Sequence, residues 1–379
     1  MDSKQRVLTT MNGEEPDRVP IGEFAIDFDT VEKILGRETF LRAKAKSQIA
    51  FWEGRHDEVA ESYLNDHIEL FEKLDLDIVT FPMATWLIPP ETDDPPPRKI
   101  DDTTWEDKYG RVYKYSNITA DITCIEDPVM EEKIFTIEEF EIEPQKPVRD
   151  ERSWKIVDAV IQRFKHEKFI CSPEGGEIGI VLLGGMERGC MELAQNPDVV
   201  KAATDFYLKQ QNLADEVFVH PDADAILWGA DFGYKSGPFI SPAMFKELFV
   251  EPNKARVKNL HEKYGVKIIK HACGNNNPLM DYFIEIGYDA YQSIQPTAGM
   301  DLCQLKKSYG DKITLWGGVS LENIISGTQD DVRKDVRLAM ECAKPGGRFI
   351  LGISHSVAVG SKYDNYMAML DEYQKTCDY

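Results

Sequence analysis

The sequence predicts an α/β fold: a (β/α)8 TIM barrel carrying one inserted, lid-like segment. Three observations predict it: eight short apolar runs rich in β-branched residues, amphipathic stretches between them, and a length of 379 residues that one barrel can fill. The runs occupy residues 19–24, 76–81, 168–172, 223–229, 267–273, 290–294, 313–317 and 348–354. Strands covered on both faces read as continuous apolar runs of this kind. Between them, Asn196-Pro197, Ser241-Pro242 and Asn277-Pro278 each set a capping side chain before a proline, which is tolerated at the first helical position because its missing N–H would be unpaired there anyway. Thr328 with Asp331 makes a box-like helix start, and Gly287 a helix stop. The chain reads as a single barrel domain, residues 1–379, with residues 88–152 inserted over the barrel mouth. There the pattern breaks into Pro95-Pro96-Pro97, acidic runs and a hairpin across residues 105–115 that turns at Lys108-Tyr109-Gly110. This stretch has too few apolar residues to bury a core of its own.

The charge balance of 44 basic against 66 acidic residues, a net −22, opposes attraction to nucleic acid and to anionic membrane surfaces. No stretch approaches the roughly 20 apolar residues of a membrane span, and the opening Met-Asp-Ser-Lys-Gln-Arg lacks the apolar core of a signal peptide. A cytoplasmic enzyme is expected. Seven cysteines, odd in number and scattered, predict reduced thiols rather than a disulfide framework.

His271 and Cys273, in Lys267-Ile268-Ile269-Lys270-His271-Ala272-Cys273-Gly274, place two soft ligands where an apolar strand runs out. Alternate residues of a strand share a face, so both can reach one ion, and neutral imidazole with thiolate suits zinc better than calcium or magnesium. The competing reading is a small buried core cysteine beside a hydrogen-bonded histidine. Barrel chemistry sits at the C-terminal strand ends, where this chain carries Glu23, Glu174, Glu177, Asp231, Gln292, Gln295, Trp316 and His355. His355 follows the last run and is the expected third ligand, which leaves one zinc position open for substrate. Asp231 and Glu177 are the expected catalytic carboxylates, Asp231 orienting a substrate or hydrogen-bonding a metal ligand; a loop carboxylate accepting backbone N–H bonds is the alternative.

Motifs spread along nearly the whole chain carry a family likeness. They are Arg6-Val7-Leu8 with Gly13-Glu14-Glu15-Pro16-Asp17-Arg18-Val19-Pro20, then Asp231-Phe232-Gly233, Ile240-Ser241-Pro242 with Phe245, His271-Ala272-Cys273-Gly274, Pro296-Thr297-Ala298-Gly299-Met300-Asp301, and the loop around His355. The constellation resembles the uroporphyrinogen decarboxylase superfamily and, within it, the corrinoid-dependent methyltransferases. The tail over residues 354–366 is similar to that of the methyltransferase components of bacterial O-demethylases. The resemblance implies a (β/α)8 barrel more firmly than the strand pattern does. The decarboxylases hold porphyrinogen carboxylates with an arginine-rich segment, whereas residues 22–27 here contain no arginine, so decarboxylation of a polyanionic tetrapyrrole is not expected. In the thiol-using zinc methyltransferases a later cysteine completes the His-x-Cys pair. This chain places His355 there, and Gln295 where a zinc-ligating glutamate can stand, so a thiol substrate fits less well.

The implied function is transfer of a methyl group from an aromatic methyl ether to a Co(I) corrinoid, with zinc drawing off charge as a poor phenolate leaving group departs. No Asp-x-His-x-x-Gly signature is present, so the corrinoid is expected on a separate partner protein. Phe24, Trp228, Tyr234, Trp316 and Tyr363, with Gln295, are the expected substrate-binding residues for a planar ring. A methylated thiol or amine as donor, another acceptor such as tetrahydrofolate, or a non-catalytic binding barrel stay open as alternatives, as does a homodimer.

Overall fold

Strong parallel pairing organises the chain. The structure, a computed structural model, describes residues 1–82 and 85–379. In chain order its strands are β1 (Ile78–Val79), β2 (Arg98–Lys99), β3 (Thr104–Glu106), β4 (Val112–Ser116), β5 (Asp121–Glu126), β6 (Phe169–Ser172), β7 (Ala225–Trp228), β8 (Gly233–Tyr234), β9 (Gly237–Pro238), β10 (Lys267–His271), β11 (Ala290–Ile294), β12 (Thr314–Val319) and β13 (Phe349–Ile353). Seven of these, β1, β6, β7, β10, β11, β12 and β13, lie side by side in that order with every pair parallel. Parallel neighbours consecutive in this way need crossover connections, and helices supply them.

Seven of the eight apolar runs thus become strands of one sheet. Run 19–24 forms no named strand, for Pro20 has no N–H to give a ladder. It nevertheless bonds to both ends of the sheet. Leu351 N–H donates to Pro20 O at 2.9 Å and Gly22 N–H to Leu351 O at 3.0 Å, while Asp77 N–H donates to Ile21 O at 2.8 Å. Gly22 is glycine for a packing reason: a Cβ there would lie 3.0 Å from Ile78 Cδ1 of β1 and 3.0 Å from Trp316 Cζ2 of β12. Ile78, Phe169, Ala225, Ile269, Ala290, Trp316 and Ile350, one or more from each of the seven strands, join Val7 and Met11 of helix Ser3–Met11 in one buried cluster.

Arg6 on that first helix secures the seam. Its Nη1 pairs with Asp77 Oδ1 at 2.6 Å and its Nε with Asp17 Oδ1 at 2.8 Å, and Asp77 Oδ2 accepts the Ile21 N–H at 2.9 Å. Asp77 is fully buried, so its charge is viable only because all of these partners face it.

The helix signals hold with local differences. Ser241 caps helix Pro242–Phe245 by accepting from Met244 N–H at 3.2 Å, Thr328 and Asp331 form a reciprocal capping box, and Gly287 ends its helix at φ +97°. Asn196 precedes helix Pro197–Phe218 but turns its side chain back to Glu192 at 2.8 Å. Asn277 opens a 3-10 turn, Asn277–Leu279, rather than the α-helix, which begins at Met280.

Between β1 and β6, β2 to β5 form a four-stranded antiparallel sheet. The hairpin at 105–115 is its centre, with Trp105 opposite Tyr113. β2 and β5 extend it without a continuous apolar run to announce them, being mostly exposed. Trp52, at the end of helix Lys44–Trp52, packs on Trp105 and Tyr113 with ring centroids 5.6 and 5.7 Å away. The expectation of seven reduced thiols needs correcting: Cys303 and Cys342 are joined in a disulfide between helices Leu302–Tyr309 and Gln329–Ala343. Helix packing brings their Cα atoms to 5.3 Å across 39 residues of sequence, a proximity that spacing alone does not reveal. Among the described residues no helix is long and apolar enough to cross a membrane.

Candidate functional site

β10 ends at His271, and the next two residues leave the sheet. Gly274 then takes φ +88°, and a Cβ there would lie 2.4 Å from Gly233 O. Only glycine lets the His-Ala-Cys turn press this closely on β8. Its N–H donates to Gln295 Oε1 at 2.7 Å, which fixes the peptide that follows Cys273. Gly274→Ala is expected to cost more than about 1 kcal/mol from the positive φ alone and to weaken metal uptake, measured by chemical denaturation and zinc titration.

The side chains of His271 and Cys273 meet as the alternation of a strand requires, with Cys273 Sγ 3.3 Å from His271 Nε2. Asp231, in the loop after β7, brings Oδ1 to 3.7 Å from the same nitrogen and also accepts the Cys273 N–H at 2.7 Å. Ligand atoms of these three residues all lie within 4.8 Å of one another. Bonds of about 2.0–2.3 Å at tetrahedral angles set zinc ligands roughly 3.3–3.6 Å apart, and the nitrogen-to-sulfur and nitrogen-to-oxygen separations of 3.3 and 3.7 Å are close to that spacing.

The surroundings prepare the imidazole for that role. His271 Nδ1 hydrogen-bonds Gln292 Oε1, and the Gln292 amide is held in turn by donating from Nε2 to Ile353 O at 3.2 Å. The oriented amide oxygen can only accept, so the network assigns the proton to Nδ1 and leaves the Nε2 lone pair facing Cys273 and Asp231. Burial holds His271 neutral by pushing its pKa down to about 4. Phe24 stacks on the ring at 3.9 Å and 11°, covering one face. Burial pushes the Cys273 thiol up to about 12, so the free protein keeps it protonated and metal uptake must release that proton.

Ser293 sits at a bulge in the pairing of β11 with β12, at φ +88°. A non-glycine residue there costs about 1–3 kcal/mol, and the distortion carries its hydroxyl to 3.5 Å from Cys273 Sγ and 3.1 Å from Ser354 O. No feature of the sequence announces this contact.

The donor set differs from the expected one. His355 stands edge-on to His271 with centroids 5.9 Å apart and Nδ1 2.9 Å from Ser356 Oγ, while the mutual spacing of a metal site is met by Asp231. Glu177 does not join that group. Its carboxylate pairs with Lys270 and accepts the Ala230 N–H at 2.8 Å. Gln295 is spent on Gly274 N–H. Two expected substrate rings are sealed off from solvent. Trp228 is 1% exposed with Arg256 over its face at 5.7 Å, and Trp316 is 0% exposed and donates from Nε1 to Gly22 O at 3.0 Å. Both are core residues in this conformation, because one packs among hydrophobic helices and the other fills the space Gly22 leaves. Tyr234 is half exposed and edge-on to Phe239 at 4.4 Å, and Tyr363 is half-buried at the start of helix Tyr363–Thr376. Of the expected rings, Phe24 alone touches the donor set.

Glu23, on the run beside the seam, accepts the Ile353 N–H at 3.1 Å, and burial pushes its pKa up to about 8. Arg42, which lines a cavity together with Glu23, pairs with Asp27 at 2.6 Å.

The sequence matches the profile of the family described as uroporphyrinogen decarboxylase (URO-D) across residues 118–376, well over half of the chain. The chain belongs to the uroporphyrinogen decarboxylase family. A solved structure described as a methyltransferase from Methanosarcina mazei shares the fold of this URO-D family member, with a TM-score of 0.63 and 16% identity over 99% of each chain. A second, described as "Native KDPGal structure", superposes at a TM-score of 0.25 with 14% identity over 63% of this chain and 85% of that one, and carries no argument. No curated protein matches the sequence.

Proposed function

We propose that this URO-D family member is a zinc-dependent methyltransferase that moves a methyl group from an aromatic methyl ether to the Co(I) corrinoid of a separate corrinoid protein. The observation that carries the reading is the group Asp231, His271 and Cys273, three convergent ligand atoms with the imidazole already in its ligating tautomer. A nitrogen, sulfur and oxygen set of three leaves a fourth position for substrate, as catalytic rather than structural zinc sites do. Zinc held there supplies Lewis-acid stabilisation of the negative charge that grows on the departing aryl oxygen. A partner's corrinoid would supply the electron pair for the new bond to the methyl carbon and the aryl oxygen would keep the pair of the bond that breaks, with Asp231, His271 and Cys273 as the residues that would hold the zinc.

The chain's own residues have distinct parts in this. Gln292 keeps the proton on Nδ1 of His271, Phe24 shields one face of that ring from water, and Asp231 ties the Cys273 peptide to the loop after β7 while offering its oxygen. His355, edge-on to His271, would contact substrate in this reading. The printed description of the Methanosarcina mazei fold relative as a methyltransferase agrees with the reading.

The reading includes a closed eight-membered barrel with run 19–24 as its first member. Its support is that Ile78 of β1 and Trp316 of β12, five places apart in the sheet order, both reach Gly22. A flat sheet would hold those strands about 24 Å apart at about 4.8 Å per strand. Residues 88–152 are proposed as the insertion over its mouth. In support, Lys44, whose charge acts on His355, pairs with Asp121 of β5 at 3.6 Å.

The test is a methyl-transfer assay with Co(I) corrinoid protein and a panel of methoxyphenols, methylated thiols and methylamines. Methylated corrinoid formed from methoxyphenols alone supports the ether reading. Turnover only with a thiol or amine reassigns the donor, and tight binding without turnover contradicts the enzyme.

A further inference from the structure

We infer that Glu177 and Lys270 are positioning residues that set Asp231 for metal binding by gripping the peptide next to it, an inference that rests on the zinc reading above. Ala230 N–H donates to Glu177 Oε2 at 2.8 Å, and Ala230 O accepts from Lys270 Nζ at 2.5 Å. The second oxygen of Glu177 pairs with the same ammonium, so one ion pair closes around both polar groups of Ala230. The grip is isolated from water: the Lys270 side chain is 0% exposed and that of Glu177 7%. Phe232 adds its ring face 4.0 Å from Nζ.

The adjoining residue is Asp231, whose Oδ1 reaches 3.7 Å from His271 Nε2 and accepts the Cys273 N–H. Lys270 precedes His271 on β10, so the two side chains leave opposite faces of the strand, the ring toward the donor group and the ammonium toward Ala230. A single strand therefore holds one ligand directly and another through its neighbour. Gly179 backs the arrangement, for a Cβ there would come within 3.0 Å of the Ala230 Cβ.

Stability does not account for charges at this place. Replacing a buried ion pair with apolar side chains of similar volume is commonly neutral or stabilising, because both ions lose their water. A donor and an acceptor are required only if a peptide N–H and C=O must be held at fixed positions together. The Asp231 side chain lies in a loop, is about half exposed and accepts the Cys273 N–H, so the hold on Ala230 adds the backbone restraint that keeps its oxygen on the His271 side.

The full-length wild type, the Glu177→Leu/Lys270→Met double variant and Gly179→Ala are to be compared by zinc competition against a chromophoric chelator, by the visible spectrum of the Co(II)-loaded protein and by thermal unfolding. The expected result is a double variant that still folds yet binds zinc about 10–100-fold more weakly, the usual cost of losing a partner that orients a ligand. Its Co(II) spectrum keeps the thiolate charge-transfer band of Cys273 and changes in the d–d region, which reports the oxygen ligand. Gly179→Ala, which shifts Ala230 without touching a charge, is expected to weaken zinc in the same direction and decides the matter if the double variant does not fold. Wild-type protein that binds zinc while the variants bind within twofold of it overturns this inference alone. Wild-type protein that takes up no zinc overturns the metal reading, and the grip on Asp231 with it.

Discussion

His271→Ala and Cys273→Ala are each expected to empty the protein of stoichiometric zinc and to lower methyl transfer by at least about a thousandfold, the equivalent of about 4 kcal/mol of lost transition-state stabilisation. The size follows from the leaving group. A phenolate with a conjugate-acid pKa near 10 needs help to depart, and Lys270, the cation next to His271 in sequence, is locked to Glu177 and Ala230. Gln292→Met should have an intermediate effect of about 10–100-fold on zinc affinity, since it frees the imidazole to place its proton on the ligating nitrogen. Metal analysis of the purified variants together with single-turnover rates checks the series. Full zinc retention in both alanine variants would contradict the donor assignment.

Arg6→Met is expected to destabilise the fold by about 3–5 kcal/mol, read as a shift in the denaturation midpoint. Removing the guanidinium leaves Asp77, a fully buried carboxylate that also holds the Ile21 N–H where run 19–24 joins the sheet, with only Arg18 at 3.8 Å as a countercharge. Adding Asp77→Asn should recover part of the loss, because the neutral amide needs no countercharge. A shift under 1 kcal/mol in the single variant would show that the seam does not depend on this pair. The same guanidinium holds the Asp17 carboxyl well below the usual carboxylate range, chiefly through its hydrogen bond. A carboxyl depressed in the folded state contributes stability above its unfolded value near 4 and loses that contribution as pH falls through the folded one. Wild-type stability should therefore decline on acidification below about pH 4, and the Arg6→Met variant should show a flatter profile there.

Much of this architecture could be read from composition patterns, because buried parallel strands must be apolar throughout. Runs 168–172, 267–273 and 348–354 stood out for that reason and appear as β6, β10 and β13. Run 19–24 was legible as apolar, but Pro20 and Gly22 keep it from laddering, so its part in the sheet rests on three backbone bonds. The pair His271 and Cys273 was legible because strand alternation acts over two residues. Asp231 as the third donor was not. Its partners lie at and just after the end of β10, about 40 residues further along the chain, and local spacing carries no record of a 3.7 Å approach. Lys270 and its pairing with Glu177 were hidden for a related reason. A lysine inside an apolar strand looks like a solvent-facing break in the run, and only the packed structure reveals the peptide it holds. Trp228 ends β7 and Trp316 lies within β12, where a ring can point to the cavity or into the layer beneath, and sequence position does not distinguish the two.

The account stands on an ion held by one carboxylate, one imidazole and one thiolate at the strand ends. Anomalous scattering at the zinc edge from a crystal soaked with a methoxyphenol tests this directly. The predicted result is a single zinc peak bonded to Asp231, His271 Nε2 and Cys273 Sγ with the ether oxygen of the soaked ring in the fourth position. A map with no zinc peak between these three side chains, or with the peak held elsewhere on the chain, would contradict it.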